Sequence, residues 1–88
     1  MLTNMNNNMR LLKFSASWCG PCKALARTLK KEKIEYEDYD VEEDEDITTK
    51  YRIKNVPTLI MVKDDGEEIR RITGNISPAE LKEFLKCD

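Results

Sequence analysis

The sequence predicts an α/β fold in which a four-stranded mixed sheet is flanked by three helices. Short apolar runs of strand length alternate with helical patterns, in the order β-α-β-α-β-β-α. The first β-α-β unit supplies two parallel strands, and a hairpin near the C-terminus adds antiparallel ones. A length of 88 residues is enough for one small core, so we expect a single domain.

The first strand and the first helix follow a polar arm. Residues 1–9 include four Asn and show no periodicity, so we expect a disordered arm there and one domain over residues 10–88. Arg10–Ala16 has the pattern of a strand, and Gly20 and Pro21 suit the turn from that strand into a helix. The helix carries its apolar residues on one face, at Cys22, Leu25, Ala26 and Leu29.

The middle of the chain is predicted to form a strand, a short helix and then a hairpin of two strands. Ile34–Val41 has the pattern of the second strand, and Asp44–Tyr51 that of a short helix with an acidic first turn. Thr58–Lys63 is an apolar strand, and the Asp-Asp-Gly sequence at 64–66 is typical of a hairpin turn. Glu67–Thr73 then pairs back as an edge strand.

The last helix has a marked N-terminus. Ser77 is the expected N-cap, Pro78 suits the first helical position, and Glu80 completes a capping box. Ile76, just before the cap, can pack against Leu81 as a hydrophobic staple. The residues expected to face the core are Leu81, Phe84 and Leu85.

Three cysteines and no histidine narrow the chemistry that the chain can perform. Without an imidazole, His-based acid-base catalysis, Cys-His nucleophile pairs and most zinc sites are excluded. The odd number of cysteines, with no apolar leader, argues against a disulfide-stabilised secreted protein, so we expect a reducing, cytoplasmic compartment. No apolar run approaches the ~18 residues of a membrane span, so we expect no membrane association.

The charges are unevenly distributed along the chain, whose net charge is −2. Nine acidic residues and no basic ones lie between Glu35 and Asp46. We interpret this block as a solvated strand end and loop, and the alternative is a docking surface for a basic partner. The Lys and Arg residues do not form a basic run with interleaved aromatics, so we do not expect nucleic-acid binding.

Redox chemistry is predicted at Cys19-Gly20-Pro21-Cys22. Two cysteines separated by two residues at the start of a helix have their sulfurs within bonding reach, and a helix N-terminus stabilises a thiolate. Cys22 belongs to the buried face of the helix, whereas Cys19 precedes the first turn and should be open to solvent. We therefore expect Cys19 to attack a substrate disulfide and Cys22 to resolve the mixed disulfide, leaving a Cys19–Cys22 disulfide.

Two other uses of these cysteines are less favoured. A zinc site needs about four ligands, and the chain offers only this pair and a distant Cys87, so we expect no metal. A static structural disulfide between residues so close in sequence restricts the unfolded chain little. Cys87 lies beside the C-terminus, and we interpret it as a peripheral thiol outside the redox pair.

The residues that carry this chemistry resemble those of the thioredoxins. SASWCGPCK at 15–23 matches the active-site segment of that family, and Val56-Pro57-Thr58 resembles its cis-proline loop. The sequence from Gly74 through the last helix is similar to the family's final turn and helix, so the likeness covers residues 10–86. It implies a minimal thioredoxin fold and a general reductase of protein disulfides. It also implies no bound cofactor, because NADPH would supply electrons through a flavoprotein thioredoxin reductase.

The resemblance also implies roles for single residues around the cysteines. Trp18 matches the aromatic residue that flanks the pair, for which partly exposed packing is the alternative, and Pro21 helps to set the redox poise. Pro57 matches the cis-proline that faces the cysteines. Val56 would then offer its backbone to an extended substrate, as in β-augmentation. Gly74 matches a glycine beside the same groove, where a simple turn is the alternative.

One position departs from the family pattern. Thioredoxins have a buried Asp six positions before the first cysteine, paired with a Lys on the neighbouring strand, and the ungapped equivalents here are Lys13 and Asp38. We expect these two residues to pair beneath Cys22, where an ammonium would favour its thiolate. The alternative is that Lys13 extends to solvent from an exposed edge strand.

The chain also lacks the strand and helix that precede Arg10–Ala16 in a typical thioredoxin. It therefore has the size of a glutaredoxin, and a reductase recharged by glutathione is the second functional hypothesis. CGPC in place of the CPYC type argues against it, as does the absence of a Gly-Gly pair after the hairpin. A third hypothesis is a non-enzymatic subunit of a larger assembly. Otherwise we expect a monomer that acts on disulfide-containing proteins.

Overall fold

The computed structural model describes residues 9–86, which form the predicted four-stranded mixed sheet and three helices in the predicted order. The fold class is therefore confirmed. The elements are β1 (Met9–Ser15), α1 (Gly20–Lys31), β2 (Glu37–Asp40), α2 (Glu45–Lys50), β3 (Thr58–Lys63), β4 (Glu68–Thr73) and α3 (Pro78–Leu85). None of these helices has the length and hydropathy of a transmembrane segment.

The strand order across the sheet is β2-β1-β3-β4. β1 pairs with β2 in parallel and with β3 antiparallel, and β4 pairs antiparallel with β3. β1 and β3 are thus the two inner strands, and β4 is the predicted edge strand. This arrangement follows from the sequence, because the helical connection through α1 permits a parallel pair and the short 64–66 turn requires an antiparallel one.

Each face of the sheet contributes to a hydrophobic core, since successive residues of a strand point to opposite faces. On one face, Leu11 of β1 packs with residues of α1 and α3; the buried members of this cluster are Leu11, Leu25, Leu29, Leu59, Met61, Leu81 and Phe84. On the other face, the cluster joins the inner strands to the end of α2, through Leu12, Phe14, Tyr51, Ile60 and Val62. The inner strands are therefore covered on both sides.

Several element boundaries differ from the predicted ones. Met9, which we assigned to the arm, is the first residue of β1, whereas residues 1–8 and Cys87 lie outside the described residues. β2 is shorter than the predicted strand of 34–41. Lys33 adopts a left-handed conformation with φ 56°, and the N–H of Ile34 donates to the carbonyl of Leu29. Residue 34 therefore belongs to the connection after α1 and not to the sheet.

The N-terminus of α3 has the predicted capping box. The N–H of Glu80 donates to Oγ of Ser77 over 3.1 Å, and the N–H of Ser77 donates to Oε1 of Glu80 over 2.9 Å. Pro78 occupies the first turn, and Ile76 packs against the cluster that contains Leu81. These contacts fix the start of the helix that covers one face of the sheet.

Carboxylates of the acidic block organise the loop between β2 and α2. Oδ1 of Asp40 accepts from the N–H groups of Glu42 and Glu43, and Oδ2 of Asp44 accepts from the N–H of Asp40. The loop that we expected to be merely solvated is thus a structured turn, because its own carboxylates accept hydrogen bonds from its backbone N–H groups. Over residues 9–86 no group of three or more His, Cys, Asp or Glu residues is arranged to hold a metal ion.

Candidate active site

The two cysteines lie where β1 passes into α1. Cys19 is the N-cap of the helix, Cys22 lies in its first turn, and the two form a disulfide with their Cα atoms 5.3 Å apart. That separation is within the usual range for a disulfide. Pro21 also lies in the first turn, where its missing N–H costs no helical hydrogen bond. A Cβ at Gly20 would meet no atom within 4 Å, so no close contact requires glycine there.

The helix N-terminus is directed at the sulfur of Cys19. The backbone N–H of Cys22 donates to Sγ of Cys19 over 3.1 Å, so this sulfur acts as the helix cap. The first turn of α1 contains no acidic residue. In the reduced protein the same N–H and the positive end of the helix dipole would stabilise a thiolate at this position.

The burial of the cysteines differs from the expected pattern. Cys22 is buried as predicted, at 2% exposure. Cys19 was predicted to be open to solvent, but it is also buried, at 5% exposure. Both pack with Ala16 in a small cluster, against which Val41 and Val56 also pack. The difference in exposure between the two cysteine residues is therefore small.

Trp18 is the large apolar side chain most exposed among the described residues, at 66%. Its Nε1–H donates to Oε2 of Glu42 over 2.9 Å. The indole therefore stands at the rim of the cysteine site and is tied to the loop after β2. No local sequence pattern predicts this contact, because it joins residues far apart in the chain.

The loop before β3 lies against the same cluster. The Val56–Pro57 peptide bond is cis, in agreement with the resemblance, and Pro57 is fully buried. Val56 packs against the group that contains both cysteines. The N–H of Gly74 donates to the carbonyl of Pro57 over 3.0 Å, so the end of β4 is held beside this loop. Three of the predicted site segments therefore converge.

Lys13 and Asp38 form the predicted pair. They are direct partners in the parallel register of β1 and β2, and Nζ of Lys13 lies 3.1 Å from Oδ1 of Asp38. The alternative of an exposed edge strand is wrong, because β1 lies between β2 and β3. The pair is unequal: the Lys13 side chain is 5% exposed and that of Asp38 is 60% exposed.

Two further residues surround the Lys13 ammonium. Nζ lies 3.4 Å from Oγ of Ser15 and 5.6 Å from the ring centroid of Tyr36. Burial and then the charge of Asp38 raise the pKa of the Tyr36 hydroxyl, so it stays neutral over a wider pH range. Tyr36 is not among the residues predicted for the site. Its position two residues before Asp38, within the predicted strand, would place both residues on the same face of the sheet.

An open groove of about 270 Å³ is lined both by this pair and by Cys22. Its other lining residues include Ala26 of α1 and Asp44, which precedes α2. The groove gives water a path to the buried side of Cys22. The predicted placement of Lys13 and Asp38 near Cys22 agrees with this geometry.

Comparison with known proteins assigns the chain to a family. The thioredoxin family model matches residues 2–87. A thioredoxin-like protein of Bacillus subtilis, YosR, derived from the SPbeta prophage, is 36% identical over 89% of this chain and 96% of its own length. The thioredoxin of Staphylococcus aureus is 33% identical over 94% of this chain and 85% of its own. YosR matches over nearly its whole length, so a short chain does not by itself favour a glutaredoxin.

Solved structures agree with the sequence relatives. Fasciola hepatica thioredoxin superposes with a TM-score of 0.76 at 29% identity, covering 92% of this chain and 84% of its own. The oxidised mitochondrial thioredoxin 3 of Saccharomyces cerevisiae also gives 0.76, at 31% identity over 90% and 77%. Thioredoxins act on disulfide substrates without a bound cofactor and are generally reduced by thioredoxin reductase. With its disulfide at the start of α1, the chain therefore belongs to the thioredoxin family, as a thiol-disulfide oxidoreductase of the protein disulfide reductase class.

Proposed function

We propose that the protein reduces disulfides in other proteins, with Cys19 as the attacking thiolate and Cys22 as the resolving thiol. The observation that carries this assignment is the hydrogen bond from the N–H of Cys22 to Sγ of Cys19. Only one of the two sulfurs caps the helix. A thiolate at the cap is stabilised by backbone N–H groups and the helix dipole, whereas Cys22 lies within the first turn.

The reaction proceeds by two sulfur exchanges. The Cys19 thiolate attacks one sulfur of the substrate disulfide, that S–S bond breaks, and the second substrate sulfur leaves as a thiolate. Cys22 then loses its proton to water and attacks Sγ of Cys19. The mixed disulfide breaks, and the substrate leaves with both of its own cysteines reduced. The protein has given up two electrons and now contains a Cys19–Cys22 disulfide.

Three segments around the disulfide form the proposed substrate site. Trp18 supplies an exposed apolar contact. Val56 packs against the cysteine cluster, and the N–H of Gly74 donates to the carbonyl of the adjacent Pro57. An extended substrate segment would pair with the backbone near Val56 while its disulfide meets Cys19.

The proposed source of electrons is NADPH, through thioredoxin reductase. The protein would work as a monomeric electron carrier in the cytoplasm, with no bound cofactor. The family match supports this reductant over glutathione.

Reduction of a model protein disulfide tests the proposal. Activity should appear with NADPH and thioredoxin reductase, and not with glutathione and glutathione reductase; the reverse result would identify glutathione as the reductant. Cys19→Ser should abolish activity, and Cys22→Ser should accumulate a mixed disulfide with the substrate. Cys87→Ser is the matched control and should leave the rate unchanged. If Cys19→Ser retained the biological function in cells, the protein would act as a non-enzymatic subunit.

A further inference from the structure

The most unusual charged group among residues 9–86 is the buried ammonium of Lys13. Lys13 is the one lysine or arginine there whose whole residue is buried, at 4% exposure, and it lies on an inner strand of the sheet. Enclosing an ammonium costs free energy unless it is paired. Its partner Asp38 is largely solvated. A solvated ion pair contributes little stability, so this pair alone does not explain why the Lys13 ammonium is buried.

The direction of β1 places this ammonium below the first turns of α1. Leu11 and Lys13 point to the same face, because they are two residues apart on a strand. Leu11 packs with Leu25 and Leu29 farther along α1, and Ala16 beyond the end of β1 packs with the cysteines. Lys13 therefore lies between these two contacts, and it borders the same groove as Cys22.

The charged and titratable groups of the groove differ in their exposure to water. Apart from Lys13 and Cys22, they are Lys23 of α1, Asp38, Tyr39 and Asp40 of β2, and Asp44 before α2. Tyr36 faces the ammonium from outside this set. Lys23, Asp38 and Asp44 are exposed, and Asp40 accepts two backbone hydrogen bonds of its own loop. Water screens exposed charges more than enclosed ones, so the enclosed ammonium acts on the buried sulfur with less screening than the exposed carboxylate of its partner Asp38.

We propose that Lys13 is a positioning residue for the resolving step, in which its ammonium stabilises the thiolate of Cys22 across the groove. This inference rests on the proposed roles of the two cysteines. During resolution the proton of Cys22 leaves to water through the groove, and the sulfur lone pair forms the new bond to Sγ of Cys19. Stabilising the thiolate raises the fraction of Cys22 that is ready to attack, without Lys13 accepting a proton.

The test is a direct titration of Cys22 with no substrate present. In a Cys19→Ser, Cys87→Ser background Cys22 is the only cysteine, and the ultraviolet absorbance of its thiolate is followed against pH. Lys13→Met should move the ionisation midpoint upward and reduce the thiolate fraction at neutral pH by roughly threefold or more. Lys13→Arg keeps the positive charge, so its ionisation midpoint for Cys22 should lie close to that of the protein with Lys13. Lys63→Met removes another lysine from a carboxylate pair, at the far hairpin, and should have no effect.

A second measurement follows resolution in the otherwise unmodified protein. Substrate release from the mixed disulfide should slow in Lys13→Met at neutral pH, and the deficit should disappear at alkaline pH, where Cys22 is ionised in both proteins. A purely structural role would slow release at every pH. If Lys13→Met prevents folding, Lys13→Gln removes the charge and keeps a polar end.

An unchanged midpoint in Lys13→Met or Lys13→Gln would overturn the proposal, as would a failure of Lys13→Arg to restore it. These outcomes are separate from a failure of the proposed function. Activity that survives Cys19→Ser would disprove the role of Cys19, yet it would leave the titration of Cys22 as it is.

Discussion

The backbone N–H of Gly74 donates a 3.0 Å hydrogen bond to the carbonyl of Pro57. This contact joins the end of the edge strand β4 to the loop that lies against the cysteine pair. It is supported by Thr58 and Thr73, whose hydroxyl oxygens lie 2.7 Å apart. The loop beside the cysteine cluster is thus held by main-chain and hydroxyl contacts.

Gly74→Ala is expected to lower the free energy of unfolding by about 1 kcal/mol. Gly74 has φ +99°, which an L-residue adopts only with strain, while a Cβ there would meet no atom within 4 Å. The cost is therefore conformational and not a clash. Urea unfolding of the oxidised protein measures it, with Gly20→Ala as control, since Gly20 is equally open without a positive φ. Equal effects at both positions would contradict the explanation.

Trp18→Ala is expected to reduce kcat/KM for protein disulfides by about tenfold, with little change in stability. The indole is largely exposed, so its loss removes contact with the substrate and little packing of the core. Ile69→Ala is the matched control, because Ile69 is also an exposed apolar residue but lies on β4. Comparable losses of activity in the two variants would argue against Trp18 as a substrate contact.

The pH dependence of stability should include a contribution from Glu37. Hydrogen bonds from Arg10, at 2.7 and 3.0 Å, lower the pKa of the Glu37 carboxyl below its ordinary 4.5. A lowered pKa means that the folded state binds the proton more weakly than the unfolded one. The stabilisation is thus complete above about 4.5 and is lost as the pH falls through the folded value.

Replacing Glu37 tests this sign. Glu37→Gln should lower stability at neutral pH and flatten its decline below the ordinary carboxyl pKa of 4.5. Thermal unfolding across the acid range measures both effects. Glu35→Gln is the control, because Glu35 is exposed and precedes the strand. A decline that is unchanged in Glu37→Gln would rule out this ion pair as its source.

Ser77→Ala is expected to cost about 1 kcal/mol of stability. The substitution removes the acceptor for the N–H of Glu80 and leaves the reverse half of the capping box in place. Chemical unfolding measures the loss, and Ser17→Ala, at another exposed serine, should be nearly neutral. Ser77→Gly should cost less than Ser77→Ala, since glycine is tolerated at an N-cap.

The order of elements was predictable from the sequence because each signal is local. The capping residues at Ser77 and Glu80 and the Gly-Pro turn between the cysteines act over a few positions. The pairing of Lys13 with Asp38 was predicted differently, from the ungapped resemblance to the thioredoxins, and the parallel register of β1 and β2 bears it out. These features need no knowledge of the packed core.

The features that were not predicted depend on contacts that a pattern along one segment does not show. β2 starts later than predicted, and the N–H of Ile34 instead donates to the carbonyl of Leu29 in the turn after α1, which a strand pattern over 34–41 does not indicate. Cys19 is buried in a cluster against which Val41 and Val56 pack, each from a different segment. The Trp18–Glu42 hydrogen bond likewise joins the active-site turn to a loop that only the folded sheet brings near.

The position of β2 also affects whether two molecules of the protein can aggregate through their strand edges. Over residues 9–86 β2 is one of the two outer strands of the sheet, and three of its four residues are Glu or Asp. An open strand edge can pair with the same edge of another molecule, and short, charged strands resist this. The acidic block thus protects one flank of a very small domain from edge-to-edge aggregation, whatever it contributes to binding.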